Sequence, residues 1–308
     1  MRTGPQADHT DRLTQCSCRG ENVQLASNKT QPLIGGDFTR IEGPLKVSGA
    51  ATYTSDFNFP GMLYAVPVCA TIAKGRINQL ETAAAAKMPG VRAVFTRQNI
   101  GKFYRVGFGP RIDERRPPLD DDIISYYGQY IAVVVADTFE QATAASSAVK
   151  ARYAQSQPDV TSRMPAEGTP SVDTQRGDAQ AAFAAVSDAM KLDQIYTTPV
   201  ETHNPIELHA TVAVFDGTNY TLYETTQSIV YQRQMMAQML GVPEDQVRVI
   251  MKYLGSGFGG KLFPWSHSLL AAAAARNLRR PIKLVVTREM MFQNVGHRPA
   301  TEQRIRLS

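Results

Sequence analysis

The chain has 308 residues, 43% of them hydrophobic and 20% charged, which is enough for two domains with ordinary cores and excludes wholesale disorder. The net charge of +5 comes from scattered Lys and Arg with no run of five like charges and no reader motif, which argues against nucleic acid as a partner. The longest apolar run, 269–275, falls far short of the about 18 residues a membrane span needs, and the polar start MRTGPQADHTDR has no signal-peptide core, so the cytoplasm is the expected compartment.

Residues 1–36 are rich in Gln, Asn, Ser, Thr and Gly and read as a mobile tail. Three cysteines, Cys16, Cys18 and Cys69, cannot supply a four-thiolate iron cluster, so any redox iron belongs to another chain. Strands are predicted over 51–54, 63–71 and 91–96, the last entered through a Pro89-Gly90 turn, and a helix over 77–88. Residues 104–122, with Pro110, Pro117 and Pro118 among Arg and Asp, read as a surface loop. Tyr130 begins the run YIAVVVA, a strand buried on both faces, and Asp137 or Thr138 caps a helix over 139–151. Residues 37–155 therefore read as one α+β unit.

Residues 156–175, with Pro158, Pro165, Gly168 and Pro170, have linker composition. The second unit, 176–308, starts with a helix over 178–190 and an extended segment over 192–197. A hairpin pairs 210–215 with 220–224 around Asp216-Gly217, and a helix follows over 228–240. Strands are expected over 246–251 and 282–287. A last alternating strand, 302–307, has no evident partner in the sequence and makes the end at Ser308 read as an interruption.

Between the strand at 246–251 and a helix predicted over 262–278 stands Y-L-G-S-G-F-G-G-K, residues 253–261. Glycines leave backbone amides bare, and a strand, a tight turn and a helix N-terminus would aim them at one acceptor. Gly255 to Lys261 also follows the phosphate-loop spacing, but Leu262 stands where a magnesium-binding hydroxyl is required. Gly255, Gly257 and Gly260 satisfy G-x-G-x-x-G without the acidic residue a dinucleotide site needs about 20 positions on, Glu289 falling beyond the next strand. A tight strand-to-helix turn would explain the glycines without any ligand.

Several segments together resemble the molybdenum-binding large subunits of the xanthine dehydrogenase and aldehyde oxidase family. The loop matches the family's G-G-G-F-G-G-K with Ser256 replacing a glycine. Thr226-Gln227-Ser228 resembles S-T-Q-S, and Leu240 to Pro243 resembles L-G-(V/L)-P. Arg280 to Leu284 with Thr287-Arg288-Glu289 resembles R-P-V-K-L…T-R-E. Upstream, Arg176-Gly177-Asp178 and the run from Glu201 through His203, Asn204, Pro205 and His209 match R-G-D-x-x-A-A and E-x-H-N-P-x-E-x-H-A.

The resemblance implies an α+β chain: an α/β hammerhead domain at 37–155, then the N-terminal part of an incomplete molybdopterin-binding domain. It implies a molybdenum-pterin cofactor in the cytosine dinucleotide form, held by Gln227, Gly257, Phe258, Gly259 and Gly260. Backbone amides of Phe258 to Gly260 would serve as compact donors, and Phe258 and Leu262 would line the substrate pocket. No side chain here would bind the metal. Purine-oxidising members carry Glu where this chain has Leu262, so an aldehyde or aromatic N-heterocycle is the implied substrate. The general base lies in a G-x-G-E segment that residues 1–308 lack, which places no catalytic residue in this chain and leaves it inactive alone. An iron-sulfur small subunit with 2Fe-2S and an FAD-binding subunit are the implied partners, and the periplasm stays open as an alternative compartment, reached through a partner's export signal. The alternative is a truncated, non-catalytic chain that only folds or binds those partners.

His203, Glu207 and His209 spell H-x-x-x-E-x-H, which is not a zinc motif; on a strand they would share one face, as packing residues. Trp265 and His267 are expected on a helix face toward the neighbouring domain, and Lys261 on a phosphate or a carbonyl.

Overall fold

The computed structural model describes residues 34–36, 38–106, 116–159 and 174–308. The expected tail up to residue 33, the middle of the 104–122 loop and most of the expected linker lie outside them. The described residues divide into two units, one ending at Ser48 and one running from Gly49 to Ser308. The first contributes one described element, α1 (Gly43–Val47).

In the second unit the order begins β1 (Leu63–Cys69), β2 (Gly75–Glu81), α2 (Ala83–Ala86), β3 (Val91–Phe95), β4 (Ile123–Ile124), β5 (Tyr130–Ala136), α3 (Phe139–Ala148) and β6 (Lys150–Gln155). It continues with α4 (Ala179–Ala185), β7 (Leu192–Thr198), β8 (Ala210–Phe215), β9 (Tyr220–Glu224) and α5 (Ile229–Leu240). It ends with β10 (Val247–Ile250), α6 (Ser266–Leu278), β11 (Ile282–Val285), α7 (Arg288–Asn294) and β12 (Thr301–Leu307). No helix among the described residues is long and apolar enough to cross a membrane.

A seven-stranded mixed sheet runs β10-β9-β8-β11-β1-β5-β3, so it takes strands from both sides of the 156–175 stretch. β1 pairs parallel with β11 and antiparallel with β5, whose residues are all buried as the YIAVVVA run predicts. The hairpin of β8 and β9 forms as expected, with Asp216 Oδ1 accepting from Thr218 and Asn219 amides at its turn. Helix α6 lies against β8 and β11, its Ala271 to Ala275 all wholly buried; five methyl side chains in a row let the helix approach the sheet closely.

Several predicted elements differ. Of the helix expected over 77–88 only the short α2 forms; its first five residues belong to β2, which pairs with β6 and β4. A register shift between Ile77 and Gln79 inserts an extra residue, so Ile77 and Leu80 pack into the same cluster three positions apart. That bulge imitates helical spacing. Residues 51–53 are not a strand, and Thr54–Asp56 form a 3-10 turn. Helix α3 stops at Ala148, short of 151, because β6 begins two residues later; Thr138, not Asp137, caps it through Gln141 N. The last strand does have a partner: β12 pairs along its whole length with β7.

Candidate functional site

The glycine-rich segment after β10 is fixed by two side chains from outside it. Glu207 Oε2 accepts from Gly255 N at 2.8 Å and from Lys261 Nζ at 2.8 Å, joining the two ends of the loop through one carboxylate. Lys261 Nζ also donates to the Glu207 carbonyl at 3.0 Å. Lys261 thus caps a carbonyl. Its side chain is fully buried, and that burial is the main reason its ammonium pKa is lowered, with Glu207 acting in the opposite sense. From the other flank, Gln227 Oε1 accepts from Gly259 N at 3.0 Å and Lys261 N at 3.2 Å, and Gln227 N donates to Lys261 O at 2.8 Å.

These bonds change the expected donor set. Gly259 N is held by Gln227, Gly260 N by Gly257 O, and Leu262 N by Gly259 O. The amides of Ser256, Gly257 and Phe258 donate to no described residue. The open run is therefore 256–258, shifted two positions from the one expected, because Gln227 Oε1 draws the following amides inward. Ser256 and Phe258 take up left-handed backbone, at φ 74° and 51°. Three glycines are required by crowding: a Cβ on Gly255 would stand 2.6 Å from Glu207 Cβ, one on Gly257 2.4 Å from Gln227 Oε1, and one on Gly260 2.8 Å from His203 Cγ.

Gln227 is exposed, and with its oxygen engaged by the loop its amide nitrogen remains for an outside acceptor. Phe258 is 70% and Leu262 40% exposed. Helix α6 starts at Ser266 rather than 262, so its N-terminus does not follow directly on the loop. Pro264 disfavours helical backbone at Phe263, and Trp265, the residue before the helix, turns its indole back to donate Nε1 to Gly260 O at 2.6 Å.

The same carbonyl lies 3.0 Å from His209 Nε2, so that nitrogen carries the proton. His209 is buried, and desolvation, with smaller contributions including His267, pushes its pKa down to about 3. His267 is also buried, edge-on to His209 and 3.5 Å from Glu224 Oε1. Trp265 thus precedes the helix on which it was expected, lining a cavity with Tyr126 and Tyr127, and His267 in its first turn packs against His209. His203 to Leu208 form no strand. Glu207 is held by Lys261 and His209 by Gly260, while His203 lines a cavity of about 830 Å³ with Tyr126, Gly259, Phe263, Trp265 and His297. The His203 pKa is lowered by burial and by His297.

Arg288 explains why distant motifs occur together. Its guanidinium donates to Asn204 Oδ1 at 2.7 Å, Pro205 O at 2.5 Å and Ile206 O at 2.8 Å, fixing the segment that delivers Glu207.

A family model described as the molybdopterin cofactor-binding domain matches residues 161–308, and one described as the aldehyde oxidase and xanthine dehydrogenase a/b hammerhead domain matches 48–157. The chain belongs to the xanthine dehydrogenase and aldehyde oxidase family of molybdenum-binding large subunits. It is similar to the molybdenum-binding subunit of aldehyde oxidoreductase of Escherichia coli strain K12, at 43% identity over 89% of this chain and 38% of that one. It is also similar to the nicotinate dehydrogenase large molybdopterin subunit of Eubacterium barkeri, at 32% identity over 85% and 63%. Among solved structures, the aldehyde oxidoreductase of Desulfovibrio gigas superposes with a TM-score of 0.77, 25% identity, 88% of this chain and 32% of that one. The chain thus spans well under half the length of the first of these relatives. It combines a hammerhead domain with molybdopterin-binding-domain sequence.

The sequence named Glu207 and His209 as packing residues, Trp265 on a helix face and Ser256 as a replaced glycine, but not their parts at the loop: Glu207, His209 and Trp265 hold it, and the Ser256 amide is open.

Proposed function

We propose that this chain carries part of the cofactor cradle of a molybdenum hydroxylase catalytic subunit that oxidises an aldehyde or an aromatic N-heterocycle with oxygen drawn from water. The observation that carries the reading is the run of open amides at Ser256, Gly257 and Phe258 flanked by the exposed carboxamide of Gln227. Such donors fit a group rich in oxygen and sulfur acceptors. The nearby Glu207 charge is neutralised by Lys261, so it does not oppose an anion.

Gln227 and the amides of Gly257 and Phe258 would hold the molybdenum-pterin group, in its cytosine dinucleotide form. Gly259 and Gly260 would serve by lacking bulk, since their own amides turn inward. When bound, that group supplies a two-electron oxidation of the substrate carbon. Phe258 and Leu262 would border the substrate, and Leu262, which cannot hydrogen-bond, favours an aldehyde or N-heterocycle over a purine. The names of the relatives, an aldehyde oxidoreductase and a nicotinate dehydrogenase, support the same two classes. Electrons would pass to a 2Fe-2S subunit and an FAD subunit, and the general base would come from a G-x-G-E segment that residues 1–308 do not contain. The hammerhead is assigned to 37–155, the link to 156–175 and cofactor-domain sequence to 176–308.

The test is molybdenum and iron per chain in untagged protein isolated gently from its source, followed by aldehyde-dependent dye reduction. Near-stoichiometric molybdenum supports the reading. A folded chain that carries none makes it a non-catalytic, partner-binding chain.

A further inference from the structure

We propose that Glu207 and Lys261 form a clasp that sets the opening of the glycine loop and keeps the amides of Ser256, Gly257 and Phe258 free for an incoming acceptor. Both are then positioning residues. The clasp stands on geometry alone; what it positions rests on the cofactor reading above.

One carboxylate oxygen of Glu207 meets Gly255 N and Lys261 Nζ, the first and last residues of the loop, each at 2.8 Å. The ammonium is fully buried and the Glu207 side chain is 11% exposed, so neither partner can exchange the other for water. Glu207 Oε1 is buried without a hydrogen-bond partner. A carboxylate deprived of Lys261 would hold an uncompensated charge beside the loop, with Oε1 free to compete for its amides. The open donors next in sequence to Gly255 are Ser256 and Gly257, the ones a cofactor would need. Lys261 therefore protects them by compensating the Glu207 charge. This gives the signature lysine a role that involves no phosphate.

The experiment is residue-resolved amide exchange on the whole chain for Lys261→Met, Glu207→Gln and the double variant. Loss of the ammonium in Lys261→Met should speed exchange of the Gly255, Gly259 and Lys261 amides at least about tenfold, with the β5 amides unchanged. Glu207→Gln keeps an acceptor for both donors but leaves the buried ammonium without its counter-charge, so it should lower the melting temperature and speed the same three amides. The double variant, without a buried charge, should regain the parent's melting temperature but not its loop protection; it carries the test if Lys261→Met fails to fold. Unchanged loop exchange in both lysine variants, or a uniform rise across the chain, overturns the clasp. Molybdenum content of the same proteins separates the two claims. A protected loop in a molybdenum-free parent sinks the cofactor reading and leaves the clasp, whereas undiminished molybdenum in Lys261→Met sinks the positioning role.

Discussion

Gln227 Oε1 occupies the space that a side chain on Gly257 would need: a Cβ there would approach it to 2.4 Å. Gly257→Ala must therefore expel the glutamine oxygen from its two amide donors, Gly259 and Lys261. The expected cost is about 1–3 kcal/mol in urea unfolding, with faster exchange at those two amides. Parental exchange at both sites would show that the glutamine is not what fixes the loop.

The two ends of Gln227 can be tested separately. Gln227→Glu keeps oxygen acceptors for the loop and removes the outward donor, so stability should change by less than about 0.5 kcal/mol while molybdenum retention falls by more than half. Gln227→Ala should lose both, at a cost of about 1–2 kcal/mol. Equal molybdenum retention in the parent and Gln227→Glu would remove the carboxamide from the cofactor site.

Ser256 combines a φ of 74° with a buried hydroxyl that has no partner. Ser256→Gly relieves both and restores the glycine of the family signature, so thermal melting should rise by a few degrees, about 1 kcal/mol. A lowered melting point would mean that the hydroxyl has a stabilising partner.

His209 makes stability depend on acid. In the folded chain its imidazole stays neutral to about pH 3, whereas the unfolded residue takes up a proton near pH 6.5. Between those values the unfolded state binds more protons, so the contribution is complete above about pH 6.5 and is lost progressively as pH falls toward 3. Its full size is roughly 4–5 kcal/mol. Denaturant titrations of the parent and His209→Gln across this window should differ in slope, the variant being flatter. Identical slopes would show that His209 is protonated in the fold.

Strands with an undisturbed pattern were legible in the sequence. The β5 run and the Asp216-Gly217 hairpin needed only hydrophobicity and turn chemistry, and both formed. What failed was local pattern altered by a distant partner. The β2 bulge shifted Ile77 and Leu80 into helical spacing, and no local signal could pair β12 with β7 across a hundred residues. At the site, glycine content identified the loop but not which amides stay open, because Gln227 and Glu207, more than 30 residues away in sequence, decide that.

The pairing of β1 with β11 has a consequence for synthesis. Leu63 lies beside Ile282, and Arg280 donates to Gly61 O across 219 residues of chain. At about 5–20 residues per second, a ribosome leaves β1 waiting on that side for roughly 10–45 s before β11 exists. Through that interval one edge of a strongly apolar strand is open to foreign pairing, a natural point of attachment for a chaperone.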